Sequence, residues 1–278
     1  MGTTLALGEV PPIRLGQTRD VAAEHSAALV EAAEWVAEAE RVVVLTGAGI
    51  STDSGIPDFR GPNGVWTRNP AAEKASDISH YLGDPQVRRA AWQSRLDHSA
   101  WSAHPNAGHD AIVQLERRGR LHALITQNID ELHQRAGNNP DLVIEVHGTV
   151  WWTRCWSCEE RRPMAESLDR VRGGDVDPSC LACGGILKSD TISFGQSLVP
   201  EVIDRAFAAS SECDLMVAVG STLSVFPVAG CVPTARRSGA RVVIVNGQET
   251  AMDGEADAVL RGSISAILPE LFAVGGNT

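Results

Sequence analysis

The chain has 278 residues with a formal net charge of −11 at pH 7, and 43% of its residues are hydrophobic. This length and balance are typical of one large globular domain or two small ones, whose core needs no disulfides. The excess of 35 acidic over 24 basic residues disfavours direct binding to nucleic acid and suits basic partners such as lysine-rich peptides.

The N-terminal segment, residues 1–20, is rich in Pro, Gly and Thr and predicts a loose arm. It lacks a basic start followed by a long apolar stretch, so we expect no secretion signal. No apolar run is long enough to cross a bilayer, so no membrane partner is expected. A reducing, cytoplasmic compartment is the expected location.

Short apolar runs alternate with helical patterns along the rest of the chain. Residues 21–40 are rich in alanine with apolar positions at helical spacing, and the β-branched run 41–46 follows them. Similar short runs occur at 121–126, 142–146, 214–220 and 240–246, with helical patterns at 109–119, 200–212 and 228–239. Strands that alternate with helices predict an α/β fold, a Rossmann-like parallel sheet with helices on both faces.

Two segments interrupt this alternation. Residues 62–104 are polar, and residues 151–195 contain four cysteines and a Gly/Asp/Pro stretch. We interpret them as a helical insertion and a zinc-binding module that together form a smaller domain. The Rossmann-like domain then consists of residues 21–61, 105–150 and 196–278.

The cysteines of the second segment form two pairs with the spacing of a metal site. Cys155-x-x-Cys158 is separated by 21 residues from Cys180-x-x-Cys183. Two such pairs supply the four thiolates of a closed tetrahedral zinc shell. Two disulfides are disfavoured because no secretion signal is present, and a redox Cys-x-x-Cys is normally single and begins a helix. The sequence therefore predicts one Zn²⁺ with a structural role, because no coordination position stays open.

A glycine-rich loop, Gly47-Ala48-Gly49-Ile50-Ser51, directly follows the run 41–46. Glycines at this place let the backbone approach a pyrophosphate, and the next helix offers free N–H groups to an anion. A plain strand-to-helix turn is the alternative when the loop is taken alone. Thr52 replaces the third glycine of the dehydrogenase fingerprint, and no clear acidic ribose ligand follows about 20 residues on, so a hydride-transferring dehydrogenase is disfavoured.

The loop continues to Gly61, and further motifs follow it in order. They are Thr126-Gln127-Asn128-Ile129-Asp130 with Leu132-His133, His147-Gly148, the two cysteine pairs, Phe194-Gly195, Gly220-Ser221-Thr222-Leu223-Ser224-Val225-Phe226-Pro227 and Val245-Asn246. Together they resemble the sirtuins, the NAD-dependent protein deacylases, from about residue 35 to residue 272. The chain looks like a bacterial-type member, and its stretch 57–67 is similar to the chromatin-acting branch.

The resemblance implies a reaction in which the acyl oxygen of an acylated lysine attacks the anomeric carbon of the nicotinamide ribose. His147 is then the general base that activates a ribose hydroxyl, and Asn128 is the second catalytic residue, in the nicotinamide pocket. The products are free lysine, nicotinamide and O-acyl-ADP-ribose. The expected partners are therefore acylated proteins or peptides.

The resemblance also implies two sets of contacts. Contacts to NAD are expected from Gly47, Ala48, Gly49, Ser51, Ile56, Asp58, Phe59, Arg60, Gln127, Asn128, Ile129, Asp130, Gly220, Ser221, Thr222, Asn246 and Gly247. Contacts to a peptide added as a strand between two edges are expected from Ile192, Phe194, Gly195, Gln196, Leu223 and Val225.

Some positions depart from the family pattern. Gln196 stands where an acid is usual after Phe-Gly, and Trp92-x-x-Arg95 stands where members that prefer acidic acyl groups have Tyr-x-x-Arg. A tryptophan supplies no phenolic oxygen, but Arg95 alone could still pair with a carboxylate. Of the two alternatives we favour an Arg95 that faces water, because a buried unpaired arginine is rare. The sequence thus predicts faster removal of acetyl than of succinyl groups.

Two other functions compete with deacylation. A mono-ADP-ribosyltransferase would also cleave NAD but would pass the ribose to a protein side chain. A non-catalytic module would only bind NAD or acyl-lysine, and the intact His147 and Asn128 argue against it.

Overall fold

The computed structural model describes residues 16–59, 61, 64–68 and 76–273. The strands are β1 Val42–Thr46, β2 Leu121–Thr126, β3 Val143–Glu145, β4 Gly148–Cys155, β5 Arg161–Pro163, β6 Leu187–Thr191, β7 Leu215–Val219, β8 Arg241–Val245 and β9 Ala258–Leu260. The α-helices are α1 Gly16–Glu38, α2 Val65–Arg68, α3 Ile78–Gly83, α4 Pro85–Leu96, α5 Ala107–Arg117, α6 Leu132–Ala136, α7 Met164–Arg172, α8 Pro200–Glu212, α9 Cys231–Arg237 and α10 Ile264–Ala273.

The larger sheet has six strands in the order β3-β2-β1-β7-β8-β9, and every pairing in it is parallel. This is the doubly wound arrangement, in which the chain moves outward from β1 in one direction and from β7 in the other. The loops that leave β1 and β7 therefore diverge to opposite faces and open a crevice between them. Ligands of such folds bind in this crevice, at the carboxyl ends of the strands.

Each face of this sheet is covered by helices, as the sequence predicted. Val42 and Val44 point into a core shared with α1, α5 and α10, whereas Val43 and Leu45 point into a core shared with α8 and α9. Because successive strand residues face opposite sides, a strand buried on both sides must be apolar throughout. All five residues of β1 are buried, which explains its continuous β-branched sequence.

The smaller sheet is antiparallel, in the order β5-β4-β6. Its core combines Met164 and Leu168 of α7 with Cys155 and with Trp92 of α4, which is 0% exposed. A tryptophan of the helical insertion thus packs into the cysteine-containing module.

One predicted boundary is wrong in part. Helix α1 begins at Gly16, so residues 16–20 are helical and do not belong to a loose arm. The segment contains no proline after Pro12, and adding residues to an existing helix costs far less than starting one. Residues 1–15 lie outside the described part of the chain. None of the helices described between residues 16 and 273 combines the length and apolarity needed to cross a bilayer.

Candidate active site

A cleft of about 1670 Å³ lies at the carboxyl ends of the parallel strands and extends to the smaller domain. It brings together the sequence-predicted residues of the loops after β1, β2, β3, β7 and β8. The predicted residues that line it are Gly47, Ala48, Gly49, Ser51, Ile56, Asp58, Phe59, Gln127, Asn128, Ile129, Asp130, His147, Ile192, Phe194, Gly195, Gln196, Gly220, Ser221, Thr222, Val225, Asn246 and Gly247. Arg60 lies outside the described residues.

Glycines allow the loops after β1 and β7 to touch. The Gly47 N–H donates to the Val219 carbonyl over 2.9 Å, and the Gly49 N–H donates to the Gly220 carbonyl over 2.8 Å. A Cβ atom at Gly49 would lie 2.7 Å from the Gly220 Cα, and one at Gly220 would lie 2.6 Å from the Ile50 nitrogen. Gly220 also has a φ of 62°, which disfavours any other residue. The contact leaves a backbone surface without side chains at the switch point of the sheet.

Asn128 is held beside this loop by hydrogen bonds from its side-chain nitrogen. Nδ2 donates to the Gly47 carbonyl and to Ser51 Oγ, both over 3.2 Å. A carbonyl oxygen only accepts, so this contact identifies the amide nitrogen. The carboxamide oxygen of Asn128 is therefore the atom that remains for a ligand in the cleft.

Asp130 lies next to Asn128 and is almost fully buried. Ser51 Oγ donates to its Oδ2 over 2.8 Å, and the Leu132 N–H donates to its Oδ1 over 3.0 Å. Burial raises the pKa of Asp130, and these two hydrogen bonds act in the opposite direction. Trp151 Nε1 donates to the Asp130 carbonyl over 2.9 Å. The carboxylate is thus fixed at the base of the cleft.

His147 lies at the end of the loop after β3, and its imidazole is oriented by one backbone contact. Its Nδ1 lies 3.0 Å from the Gln127 carbonyl oxygen. Because that oxygen can only accept, Nδ1 carries the proton and Nε2 has a free electron pair in the neutral ring. Burial lowers the pKa of His147, so the ring is neutral at pH 7. This is the form that a general base requires.

The residue after His147 must be glycine. Gly148 has a φ of 70°, and a Cβ there would lie 2.1 Å from the Asp190 carbonyl oxygen. The Ile192 N–H donates to the His147 carbonyl over 2.8 Å. This bond joins the segment after β6 to the backbone of His147. A side chain at position 148 would prevent that close approach, which explains why glycine follows the histidine.

Gln127 and Ser221 connect two sides of the crevice. Gln127 Nε2 donates to Ser221 Oγ over 2.9 Å, and the Leu223 N–H donates to the same oxygen over 3.2 Å. The loops after β2 and β7 are therefore held at a fixed separation across the end of β1.

For one predicted peptide contact, Leu223, the structure leaves only the backbone. Leu223 is 1% exposed and packs in the core shared with α8 and α9, so its side chain does not line the cleft. Its neighbour Val225 does line the cleft. At the other edge, the N–H of Phe194 donates to Ser76 and its carbonyl accepts from Ile78. The Phe194 ring, 40% exposed, is thus the part of this residue that faces the cleft.

The interpretation of Arg95 as facing water is wrong. Arg95 lines the cleft, its Nη2 donates to Ser189 Oγ over 3.3 Å, and its guanidinium lies 4.9 Å from the Trp92 ring centroid. Its Nη1 is buried, with no hydrogen-bond partner among the described residues. The sequence could not show this, because the polar composition of α4 does not indicate which of its faces packs against the rest of the protein.

Sequence reasoning also missed Lys188 and Glu145. Lys188 is 5% exposed, lines the cleft and donates to the carbonyls of Ser189 and Thr191; burial lowers its pKa to about 8. Glu145 ends β3 two residues before His147, and burial raises its pKa to about 7. An acidic residue inside the apolar run 142–146 is unusual, and it could have indicated a buried titratable group near His147.

The four predicted zinc ligands converge in the smaller domain. The sulfurs of Cys155, Cys158, Cys180 and Cys183 all lie within 4.8 Å of one another. A tetrahedral zinc shell with Zn–S bonds of about 2.3 Å places its sulfurs roughly 3.8 Å apart. The 3.5 Å from Cys155 Sγ to Cys183 Sγ and the 3.7 Å from Cys158 Sγ to Cys180 Sγ fit that shell.

Comparisons with known proteins agree with this geometry. The model of the Sir2 family matches residues 47–227. The chain is 49% identical to "NAD-dependent protein deacetylase 2" of Streptomyces coelicolor over 231 residues, which cover 83% of this chain and 96% of that protein. It is 39% identical to "NAD-dependent protein deacetylase 1" of Bradyrhizobium diazoefficiens over 252 residues, covering 90% and 97% of the two chains.

Solved structures give the same relationship. A Sir2 protein with a deacetylated p53 peptide and 3′-O-acetyl ADP-ribose superposes with a TM-score of 0.82 at 33% identity, covering 90% of this chain and 99% of that one. A Sir2 protein bound to a propionylated peptide superposes with a TM-score of 0.79 at 32% identity, with the same coverage.

Proposed function

Because this chain belongs to the Sir2 family, we propose that it is an NAD-dependent protein-lysine deacylase, chiefly a deacetylase. It transfers the acyl group of a modified lysine to ADP-ribose. The products are free lysine, nicotinamide and O-acyl-ADP-ribose.

The observation that carries this function is the pairing of His147 with Asn128 at one end of the switch-point crevice. Both side chains line the same cleft, one with a free imidazole nitrogen and the other with a free carboxamide oxygen. His147 removes a proton from a ribose hydroxyl of the bound co-substrate. Asn128 and Asp130 hold the nicotinamide end.

The residues present fit NAD. The contact between the loops at Gly49 and Gly220 leaves exposed backbone where a diphosphate can lie close, as helix N-termini and glycine loops bind such groups. Ser221, Thr222 and Asn246 line the far end of the cleft and would hold the adenosine half. Bound NAD supplies a labile bond between nicotinamide and ribose. Phe59 lines the same cleft and would shield that bond from water.

One structural Zn²⁺ belongs to the cysteine cluster. The N–H groups of Ser157 and Gly185 each donate to a ligand sulfur over 3.4 Å, to Cys155 and Cys183 respectively. Such bonds stabilise thiolate charge. With four sulfurs in its shell the metal has no open position, so it organises the smaller domain and takes no part in the reaction.

The substrates that we propose are proteins with acylated lysines, bound as an extended strand across the cleft. Complexes of related Sir2 proteins with a deacetylated p53 peptide and with a propionylated peptide support peptides as the substrate class. The exposed ring of Phe194 and the side chain of Val225 would flank the peptide. We place the enzyme in the cytoplasm, where thiolate ligands stay reduced and NAD is supplied. Cell fractionation followed by detection of the chain checks that placement.

Purified enzyme with NAD and matched peptides tests the function. Nicotinamide release should depend on an acylated lysine, and O-acyl-ADP-ribose should form in equal amount. Nicotinamide release with an unmodified peptide, together with label transfer from NAD to protein, would instead establish ADP-ribosyl transfer.

The acyl preference needs its own test, because Arg95 lies in the cleft. We keep acetyl as the preferred group, since no tyrosine precedes Arg95 by three residues. Turnover of acetyl and succinyl forms of one peptide decides the matter, with Arg95→Met as the matched variant. Faster succinyl removal by the wild type, lost in the variant, would reverse the preference.

A further inference from the structure

A chain of buried hydrogen bonds runs behind the glycine loop to Asn128. His133 Nε2 lies 3.0 Å from Thr46 Oγ1, Thr46 Oγ1 donates to Thr126 Oγ1 over 2.9 Å, and the Asn128 N–H donates to that same oxygen over 3.1 Å. His133, Thr46 and Thr126 are each no more than 2% exposed. The chain joins α6 to the carboxyl ends of β1 and β2, the two strands that carry the loops of the site.

The direction of these bonds follows from counting protons. The Thr46 hydroxyl has a single hydrogen, which goes to Thr126. The contact between Thr46 and His133 therefore needs its hydrogen from the imidazole, so His133 is protonated on Nε2. Its Nδ1 is then an acceptor, and this atom is buried without a partner among the described residues.

A second imidazole completes the arrangement. The Asn106 N–H donates to His109 Nδ1 over 3.3 Å, so neutral His109 carries its proton on Nε2. That Nε2 is also buried without a partner in the described chain. The rings of His109 and His133 lie 4.9 Å apart between centroids. The two rings are therefore in contact, with no hydrogen bond between them. The opposite direction of the hydrogen-bond chain would leave each ring with a buried N–H donor that has no partner among the described residues, which is costly.

The surroundings keep both rings neutral. His109 is 0% exposed and His133 is 1% exposed. Burial lowers the pKa of His109 to about 4 and holds that of His133 well below its ordinary value. The chain of hydrogen bonds therefore keeps a single donor-to-acceptor direction throughout the neutral pH range.

Asn106 links this chain to the other side of the loop. Its side-chain nitrogen donates to the Ile50 carbonyl and to Ser54 Oγ, both over 2.8 Å. Both partners belong to the 3₁₀ helix Ala48–Ser54, which follows Gly47. The loop is thus held at its far end by Asn106 and at its near end by Asn128.

We propose that His133 is a positioning residue for the nicotinamide end of the site, acting through Thr46 and Thr126 on Asn128. This proposal rests on the proposed function, because Asn128 is assigned to nicotinamide there. His133 itself touches no substrate. Its effect should therefore appear in the steps that involve NAD and be absent from peptide affinity.

The test uses two substitutions of His133 in the full chain. His133→Leu removes the donor to Thr46, and we expect kcat/KM for NAD to fall about 10-fold with KM for the acylated peptide unchanged. His133→Gln restores most of the loss, because the side-chain nitrogen of glutamine can occupy the position of Nε2. The control is His122→Gln, a half-buried histidine at the other end of β2, which should behave as wild type.

A double-mutant cycle separates a relay from general destabilisation. Thr46→Val interrupts the same chain one step later, so the His133→Leu/Thr46→Val variant should be no worse than the poorer single variant. If the double variant instead loses kcat/KM for NAD by the product of the two single losses, the two residues do not act through the same hydrogen-bond chain. Equal damage from leucine and glutamine at position 133, or wild-type kcat/KM for NAD in a folded, zinc-loaded His133→Leu variant, would overturn the proposal.

Nitrogen NMR of the wild-type histidines gives a readout that needs no activity and no variant. Both His109 and His133 should carry their proton on Nε2 at pH 7. A proton on Nδ1 of His133 would refute the relay even if deacylation is confirmed. If the enzyme instead fails to release nicotinamide with acylated peptides, the proposed function fails while this measurement still judges the hydrogen-bond chain.

Discussion

The zinc cluster and the crevice at the strand ends are both groups of polar side chains held by short loops, yet they differ in what they leave free. The four cysteine sulfurs face one another within 4.8 Å and saturate the metal that they bind. At the strand ends, Asn128 and His147 each use one atom on the protein backbone and leave another for the cleft. A saturated cluster builds structure, whereas a fixed but incomplete one can perform chemistry.

The largest effect should come from the incomplete cluster. His147→Ala removes the base, and a positioned general base contributes about 10³-fold to a rate. We expect deacylation to fall by that order while binding of the acylated peptide is kept, since the peptide contacts that we propose lie elsewhere in the cleft. Product formation and peptide binding by fluorescence anisotropy measure the two separately. Retained turnover would reject the assigned role.

A substitution in the saturated zinc cluster should lower the stability of the fold. Cys158→Ser weakens the zinc shell, and we expect a loss of about 3 kcal/mol, which lowers Tm by roughly 8 °C in a chain of this size. Zinc content and thermal unfolding measure this. Cys213→Ser is a matched control, because Cys213 is a buried thiol outside the cluster. A variant with normal zinc content and normal Tm would show that the cluster does not support the fold.

Glu145 provides a pH-dependent test of the buried side of the crevice. Its pKa is raised from 4.5 to about 7, so its contribution to stability is fully present below pH 4.5 and is lost as the pH rises through 7. Glu145→Gln should remove about 2 kcal/mol of the stability lost between pH 5.5 and pH 8.5. Urea unfolding of both proteins at the two pH values gives the difference, in which the histidine contributions cancel. Parallel pH profiles would contradict the burial of this acid.

The smallest effect should come from the link across the crevice. Ser221→Ala removes the acceptor of Gln127 Nε2, a net loss of about 1 kcal/mol, and KM for NAD should rise roughly 5-fold. Initial rates at varied NAD measure this, with Ser211→Ala, an exposed serine on α8, as the control. An unchanged KM would mean that the two loops hold their separation without this bond.

Much of the fold was predictable because buried parallel strands are short and apolar. The runs 121–126 and 214–220 became β2 and β7 almost to the residue, since their burial on both faces demands that composition. Strand β9 has three residues and was not predicted, because so short a run has no readable period. The cysteine site was predictable from spacing alone.

The site was predictable where backbone geometry restricts the residue type, as at Gly49 and Gly148. It was not predictable where a residue's role depends on which side of its segment packs against the rest of the protein. Leu223 lies in a motif that borders the cleft, but its side chain is buried in the core. Arg95 lies on a polar helix, yet it reaches the cleft because Trp92 anchors that helix to the smaller domain.

A crystal structure with an unreactive NAD analogue and an acylated peptide tests the central claim most directly. The account predicts the dinucleotide across the loops at 47–49 and 220–222, with His147 Nε2 within hydrogen-bond distance, about 3 Å, of a hydroxyl of the nicotinamide ribose. A dinucleotide bound elsewhere, or with its ribose separated from His147 by protein, would contradict it.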